Sequence, residues 1–464
     1  MEEIKDSIEP ETESKAKTAG KSIDMLHGPM AKKIFMFALP IAASSILQQL
    51  FNSADVAVVG RFAEEGALAA VGSNTVLVGL FVNIFLGLSV GANVVISHYI
   101  GQGRENEVGK VVHTAMLFSI LCGITMMIIG ILISRPLLIW MDSPADVLDR
   151  AVLYLRIYCI GIPFIIPYNF GAAILRSIGD TKRPMYCLTA SGILNILLNL
   201  LLVIVFHLGV AGVAIATVVS NIFSTTAVFY ILTQENRAIH LSFDKLRIEK
   251  ASILRIVQIG APAALQSAVF SLSNICLQTA INSFGSKAVA GMTAAINFEF
   301  FSFYIINAFS QAAITFVGQN YGAGKYDRCR KTLRLCMLEG IVGTIILTSV
   351  FVLGREFLIR IYTVDLQEIE YAMMRLLYVA PFLFVAGSYE ITGSALRGMG
   401  RSTVPALLTV IGSVVFRVIW VYVVFAKWRS FPVLIIVYPI SWVLTGSMVV
   451  GYYFLMRRRL FAEK

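Results

Sequence analysis

Long apolar stretches separated by short polar turns run through this chain from residue 34 almost to its end. Twelve are long enough to cross a bilayer, which takes about 20 apolar residues per helix. Their approximate limits are 34–59, 68–97, 111–133, 149–174, 185–206, 209–233, 253–281, 288–316, 332–353, 368–395, 403–425 and 433–456. The runs are too long for strands and do not alternate with a period of two, so they predict helices. Pro40, Pro163, Pro167, Pro262, Pro381 and Pro439 fall inside them. Such residues trouble a soluble helix, whereas in a membrane bundle neighbouring helices satisfy the freed carbonyls. The pattern predicts an all-α integral membrane protein of twelve transmembrane helices.

The pattern also repeats. Gly101-Gln102-Gly103-Arg104 returns as Gly322-Ala323-Gly324-Lys325, 221 residues later. Leu175-Arg176-Ser177-Ile178-Gly179, followed by Pro184, returns as Leu396-Arg397-Gly398-Met399-Gly400, followed by Pro405. Ser220 returns as Ser441. A constant offset over most of a half-length predicts two six-helix lobes, at 28–233 and 253–464. Duplicated bundles are common among secondary transporters, with binding sites between or within the repeats. Residues 1–27 read as a disordered cytoplasmic tail, and 234–252, the longest internal polar stretch, as the inter-lobe linker.

Composition sharpens this reading. Hydrophobic residues make up 57% of the chain and charged ones 14%, too apolar for a soluble domain of this length. The net charge of +10 is mostly topological. With both termini inside, the cytoplasmic segments carry most of the Lys and Arg, and the other side chiefly Arg61, Arg135, Lys287, Arg355, Arg360, Lys427 and Arg429. That is the positive-inside bias of a multi-pass plasma (inner) membrane protein, not a nucleic-acid footprint. The six cysteines show no CxxC spacing and read as small packing residues. No HExxH, P-loop or GxSxG occurs, so neither a metalloprotease nor an ATP-driven pump is indicated. The chain reads as a non-enzyme without cofactor and as a monomer, driven by an ion gradient or by its substrate's own gradient.

Polar residues at membrane depth are costly, so each is a functional candidate. Asp55 lies in the outer part of the first span. It is either a hydrogen-bonded acid near the interface or a carboxylate that loads and releases a proton or holds a cation. Asn195 and Asn199 are one turn apart in span 5, and Thr217 is early in span 6. Their oxygens suit a small cation or make ordinary interhelical hydrogen bonds. Glu390 in span 10 has Asn169 as its repeat partner. Glu299 in span 8 lies among Phe298, Phe300, Phe301, Phe303 and Tyr304. Acids beside aromatic faces suit an organic cation, which makes Asn169, Glu299, Phe300, Tyr304 and Glu390 candidate substrate residues. The alternative for the glutamates is an ion pair with a buried base, Arg417 being the obvious one. The glycine motifs read as tight turns at helix ends.

Several of these segments carry a family resemblance. Ala54-Asp55-Val56-Ala57-Val58-Val59-Gly60, Leu175-Arg176…Gly179-Asp180…Pro184, Phe316-Val317-Gly318-Gln319-Asn320-Tyr321-Gly322-Ala323-Gly324-Lys325 and Tyr438-Pro439-Ile440-Ser441-Trp442, set in paired halves, resemble the multidrug and toxic compound extrusion (MATE) transporters. The resemblance spans roughly residues 28–456. It implies two lobes around a central cleft and antiport of a drug-like compound against H⁺ or Na⁺. Asp55 matches the family's first-span acid, and Asn195 and Thr217 match neutral ligands of the amino-lobe cation site. Asn199 stands where many members have Asp, which removes a charge and favours H⁺ over Na⁺ at Asp55, Asn195 and Thr217. The rival readings are a flippase for a lipid-linked precursor, a membrane enzyme and a passive channel.

Overall fold

The computed structural model describes residues 22–64, 66–141 and 146–460. Helix is its one regular element among the described residues. Twelve helices are long and apolar enough to cross a membrane. In chain order they are α1 Ala31–Phe62, α2 Ala67–Gly101, α3 Glu105–Trp140, α4 Leu148–Ser177, α5 Lys182–Val205 and α6 Gly209–Thr233. The second half gives α7 Lys250–Asn282, α8 Ser286–Gly322, α9 Tyr326–Leu353, α10 Leu366–Gly398, α11 Thr403–Phe425 and α12 Phe431–Arg457.

The helices overrun the apolar stretches at their polar ends. α3 starts at Glu105, six residues before its stretch, with Glu105 and Glu107 in a first turn where the helix dipole favours acids. α10 is interrupted around Pro381, which cannot donate the helical hydrogen bond and leaves a short 3₁₀ turn at Ala380–Phe382. α5 and α11 contain π-helical turns at Leu200–Val205, Val410–Val415 and Trp420–Phe425, local widenings often found near functional groups.

Two buried apolar clusters mark the two lobes, and the lobes exchange helix ends. Ile34, Phe37, Ala38, Ile41 and Ala42, in the first half of α1, pack into the carboxyl-lobe cluster, while Val58 and Val59 belong to the amino-lobe cluster. Phe37 meets Phe316 of α8 edge-on at 5.5 Å. Conversely, Ile256 and Ile259 at the start of α7 pack into the amino lobe.

The lobes close on each other on the side where α1 begins and α12 ends, here called the terminal side. Its seam is made by glycines. A Cβ on Gly91 would lie 2.1 Å from the Ile256 carbonyl oxygen, and one on Gly87 2.6 Å from the Ala264 backbone. The repeated Gly-X-Gly motifs divide their labour. Gly103 and Gly324 take φ of +69° and +68° and turn the chain, as expected from sequence. Gly101 and Gly322, grouped with them as turn residues, are helical and abut the opposite lobe. Their Cβ atoms would lie 2.0 Å from Gln319 O and 2.3 Å from His98 O. Side chains seal the seam. Asn93 donates to Thr315 at 3.2 Å, Arg255 to the Tyr99 hydroxyl at 2.6 Å, and Gln319 to the Ser177 carbonyl at 2.6 Å.

Among the described residues, every hydrogen bond joining the lobes lies between this side and mid-span. The farthest from the terminal side is Tyr304 to Gln49, 2.9 Å. Beyond it Asn52, Thr75, Gln278 and Thr293 stand exposed on α1, α2, α7 and α8. Polar groups exposed at that depth are compatible with a water-filled gap between the lobes and costly against lipid. The cleft therefore opens away from the terminal side.

Residues 22–27, assigned from sequence to a disordered tail, are instead seated across the seam; residues 1–21 lie outside the described residues. Ile23 N–H donates to the Gly179 carbonyl of the amino lobe at 3.3 Å. Asn320 and Arg328 of the carboxyl lobe donate to the Met25 carbonyl at 3.1 and 3.0 Å, and Met25 itself is buried. Gly179 can host this contact because it has φ +87° and no side chain where Ile23 passes. Composition hid this because the segment is held by backbone hydrogen bonds together with a single buried apolar side chain, Met25.

The seam predicts an outcome. Gly91→Ala should loosen it by roughly 1–3 kcal/mol, the usual cost of overpacking. Amide hydrogen exchange of 87–101 and 255–264 should rise by about one to two decades, with the α3–α4 contact region unchanged. Unchanged exchange across the seam would show that it has slack.

Candidate functional site

Span 1 reaches the amino-lobe interior through a matched pair of helix faces. Phe51 and Asp55 are one turn apart on α1, and Gly192, Asn195 and Asn199 line one stripe of α5. A Cβ on Gly192 would fall 1.9 Å from the Phe51 ring, so this glycine lets the ring lie against α5. The next turn of α1 then sets Asp55 against the two asparagines.

Asn199 Nδ2 donates to Asp55 Oδ1 at 2.5 Å and to Asn195 Oδ1 at 3.3 Å. Asn199 is fully buried and its Oδ1 has no partner. Asp55 is half-buried and borders a cavity of about 530 Å³. Asn195, Thr217 and Asn169 line the same cavity, as do Tyr154, Tyr158 and, from the carboxyl lobe, Asn307 and Gln311. Thr217 spends its hydroxyl proton on the Val213 carbonyl, 3.0 Å away, and keeps its oxygen lone pairs free to accept. Arg176, toward the terminal side, is the other charged lining residue. The site thus pairs one carboxylate with neutral amides, hydroxyls and two aromatic walls. Tyr154, Tyr158, Asn307 and Gln311 were not singled out from sequence, because tyrosines and amides in apolar spans have no distinctive spacing.

The carboxyl-lobe candidates separate. Glu299 is 3% exposed and bound on both oxygens by Arg375, with Nε to Oε1 at 2.8 Å and Nη2 to Oε2 at 2.7 Å. This corrects two expectations. Glu299 has no free oxygen for a cationic ligand, and its base is Arg375 of α10, not Arg417. Arg375 lies 76 residues along the chain from Glu299, and only the packing of α10 on α8 brings them together. Phe300 is 39% exposed and stacks on Tyr304, whose hydroxyl reaches Gln49 across the lobes. Glu390 is half-buried and has no base within 4.0 Å among the described residues. Glu339, an acid inside span 9 that the sequence reading passed over, has a buried Oε2 without a partner.

Comparison with known proteins agrees with this architecture. The MatE family profile matches residues 40–201 and again 262–423. The chain is 28% identical over 437 residues to the "Probable multidrug resistance protein YoeA" of Bacillus subtilis (strain 168), covering 91% of this chain and 93% of that one. It is 26% identical to the "Probable multidrug resistance protein NorM" of Thermotoga maritima, covering 82% of each. In fold it is similar to an outward-facing multidrug resistance MATE family transporter of the MOP superfamily, with TM-score 0.88, 21% identity, and coverage of 95% of this chain and 98% of that one.

The pairing of Glu299 sets an expectation. Glu299→Gln leaves the buried Arg375 without its counter-charge, at a cost of about 3–5 kcal/mol. The melting temperature in detergent should fall clearly, while the ratio of affinities for cationic and neutral compounds stays constant. A changed ratio without loss of stability would return Glu299 to the binding surface.

Proposed function

Because the chain belongs to the MatE family, we propose that it is a secondary antiporter that exports drug-like organic compounds in exchange for protons, with Asp55 as the coupling acid. The observation that carries this reading is the Asp55–Asn199 pair beside the amino-lobe cavity. As a member of a transporter family the chain is not an enzyme. The named relatives are described as multidrug resistance proteins, which supports the substrate class.

The donor set favours H⁺ over Na⁺. A sodium ion wants several oxygens, preferably with more than one charge. Here Asn199 turns its NH₂ toward the carboxylate, and a second acid is absent from the contact. With Asp55 ionised, that NH₂ is the right partner. With Asp55 protonated, its O–H becomes a donor and needs an acceptor. Asn199 Oδ1, buried and unpartnered, becomes that acceptor when the amide turns over. Proton loading is thereby linked to a change in how α1 sits on α5. Asn195 and Thr217 complete the polar surroundings, and Asn169 with the tyrosine walls offers a surface for substrate.

Lys32, Lys33, Arg104, Lys110, Arg183, Arg255, Lys325, Arg328 and Arg401 lie on the terminal side, which supports a cytoplasmic location for it. The open cleft then faces outward. Proton binding at Asp55 from that side accompanies substrate release, and return to an inward-open state requires the glycine seam to part. One charge crossing about 150 mV is worth ~3.5 kcal/mol, between two and three decades of concentration ratio. One proton per substrate is enough for useful export. A flippase for lipid-linked precursors gains no support, since the cavity is lined by a single arginine and not a basic cluster.

The test is efflux of a fluorescent organic cation from proteoliposomes under an imposed proton or sodium gradient. Wild type should respond to the proton gradient alone, and Asp55→Asn should lose uphill transport while keeping its fold and its substrate binding. Uphill transport retained by the variant would remove Asp55 from the coupling step.

A further inference from the structure

We propose that the carboxyl lobe holds a separate binding site for an anionic group, a carboxylate or phosphate on a lipophilic body, centred on Arg417. Arg417 lies in α11 and is 1% exposed. A guanidinium stays charged in a protein, and one buried at membrane depth needs a counter-charge. None is present: among the described residues no carboxylate lies within 4.0 Å of it. Glu299 is occupied by Arg375, and Glu390 is beyond reach of an ion pair. Nε donates to Ser441 Oγ at 3.0 Å, but Nη2 is buried without any partner. The compensation in place is aromatic: the guanidinium carbon lies 5.2 Å from the Phe270 ring centroid and 4.9 Å from that of Tyr438.

Position in the repeat says what this place is for. Tyr438, Ser441 and Glu390 are the counterparts, 221 residues on, of Thr217, Ser220 and Asn169, all of which line the amino-lobe cavity. Arg417 itself falls 221 residues after Ile196, next to the Asn195 position. The carboxyl lobe thus repeats the location of the amino-lobe site with a buried arginine where the amino lobe has a neutral residue. Of its buried bases Arg375, Arg397 and Arg417, only Arg375 has a carboxylate within 4.0 Å among the described residues. Phe270 and Tyr438, whose rings flank Arg417, are both part-exposed. A planar fork with a free nitrogen between two rings is suited to a carboxylate or phosphate carrying an aromatic or acyl body.

The experiment uses the full chain in phosphatidylcholine nanodiscs with two probes of one shape, 1-pyrenebutyrate and 1-pyrenebutylamine, followed by fluorescence anisotropy. The carboxylate should bind saturably, and Arg417→Gln should weaken it at least tenfold with amine binding unchanged. Phe270→Ala, which keeps the charge, should weaken it several-fold and serves if the arginine variant fails to fold. Adding phosphatidylglycerol separates the sources. A rise in the apparent Kd for pyrenebutyrate assigns the site to a lipid phosphate, and no rise assigns it to a soluble organic anion. Absence of saturable binding by the wild type, or undiminished binding in the folded variants, overturns the proposal. The outcome does not depend on whether Asp55 couples to protons.

Discussion

The arrangement rests on backbone meeting backbone across the lobe seam. Glycines on α2, α7 and α8 remove the side chains that would hold the lobes apart, and carbonyls of the facing helices fill the space. Such contact is close-packed and short-ranged, so it is either made or lost. It shuts one side of the molecule, and because the helices diverge from it, it opens the other. Polar seals such as Asn93–Thr315 and Gln319–Ser177 set register without adding apolar bulk that would resist separation. The stretch around Met25 lies over this seam and holds both lobes at once, through Gly179 on one side and Asn320 and Arg328 on the other.

Charge is divided between the lobes in opposite senses. The amino lobe surrounds one acid with amides and hydroxyls, none of which can fix it permanently as an ion pair. Asp55 therefore has no fixed counter-charge among the described residues. The carboxyl lobe locks its best-buried acid, Glu299, in a two-pronged contact with Arg375 and leaves Arg417 between aromatic rings. Tyr438 links these two bases, with the Arg375 guanidinium 4.5 Å from the same ring. Duplication preserved the scaffold while the side chains at equivalent positions diverged, which gives one chain two chemically different interiors.

Hydropathy made the twelve spans and the duplication legible, because bilayer crossing and repeat offset are properties of sequence alone. The polar faces of α1 and α5 were also legible: Asp55, Asn195 and Asn199 announce themselves by depth and by helical spacing. What could not be read was pairing between distant segments. Arg375 sits near one end of an apolar span and looks like an interfacial base, and only the packing of α10 on α8 makes it the partner of Glu299. The same holds for Gly101 and Gly322. As glycines near a turn they were assigned to the turn, yet their neighbours Gly103 and Gly324 do the turning, and the first of each pair is reserved for the other lobe. The composition of residues 22–27 predicts a disordered tail, and it does not report the backbone hydrogen bonds that, with the buried Met25 side chain, hold them.

α1 connects the Asp55 site with the seam on the other side of the bilayer. Its terminal half packs into the carboxyl lobe through Phe37 and its neighbours, and its far half into the amino lobe through Val58 and Val59. It is thus the amino-lobe helix anchored at both ends to different bodies. Pro40 lies within the first of these anchors, between Ala38 and Ile41, and Ser44 Oγ bonds the Pro40 carbonyl at 2.7 Å, an arrangement that favours bending. On the proposed role of Asp55, a change in the hold of α5 on it would act on the far half of α1, whose other half lies on α8. α8 also carries the seam residues Thr315, Gln319 and Gly322. α7 occupies the mirrored role, with Pro262 beside the Gly260 contact on α2, so both lobes are tied to the seam by a proline-bearing helix that belongs in part to the other.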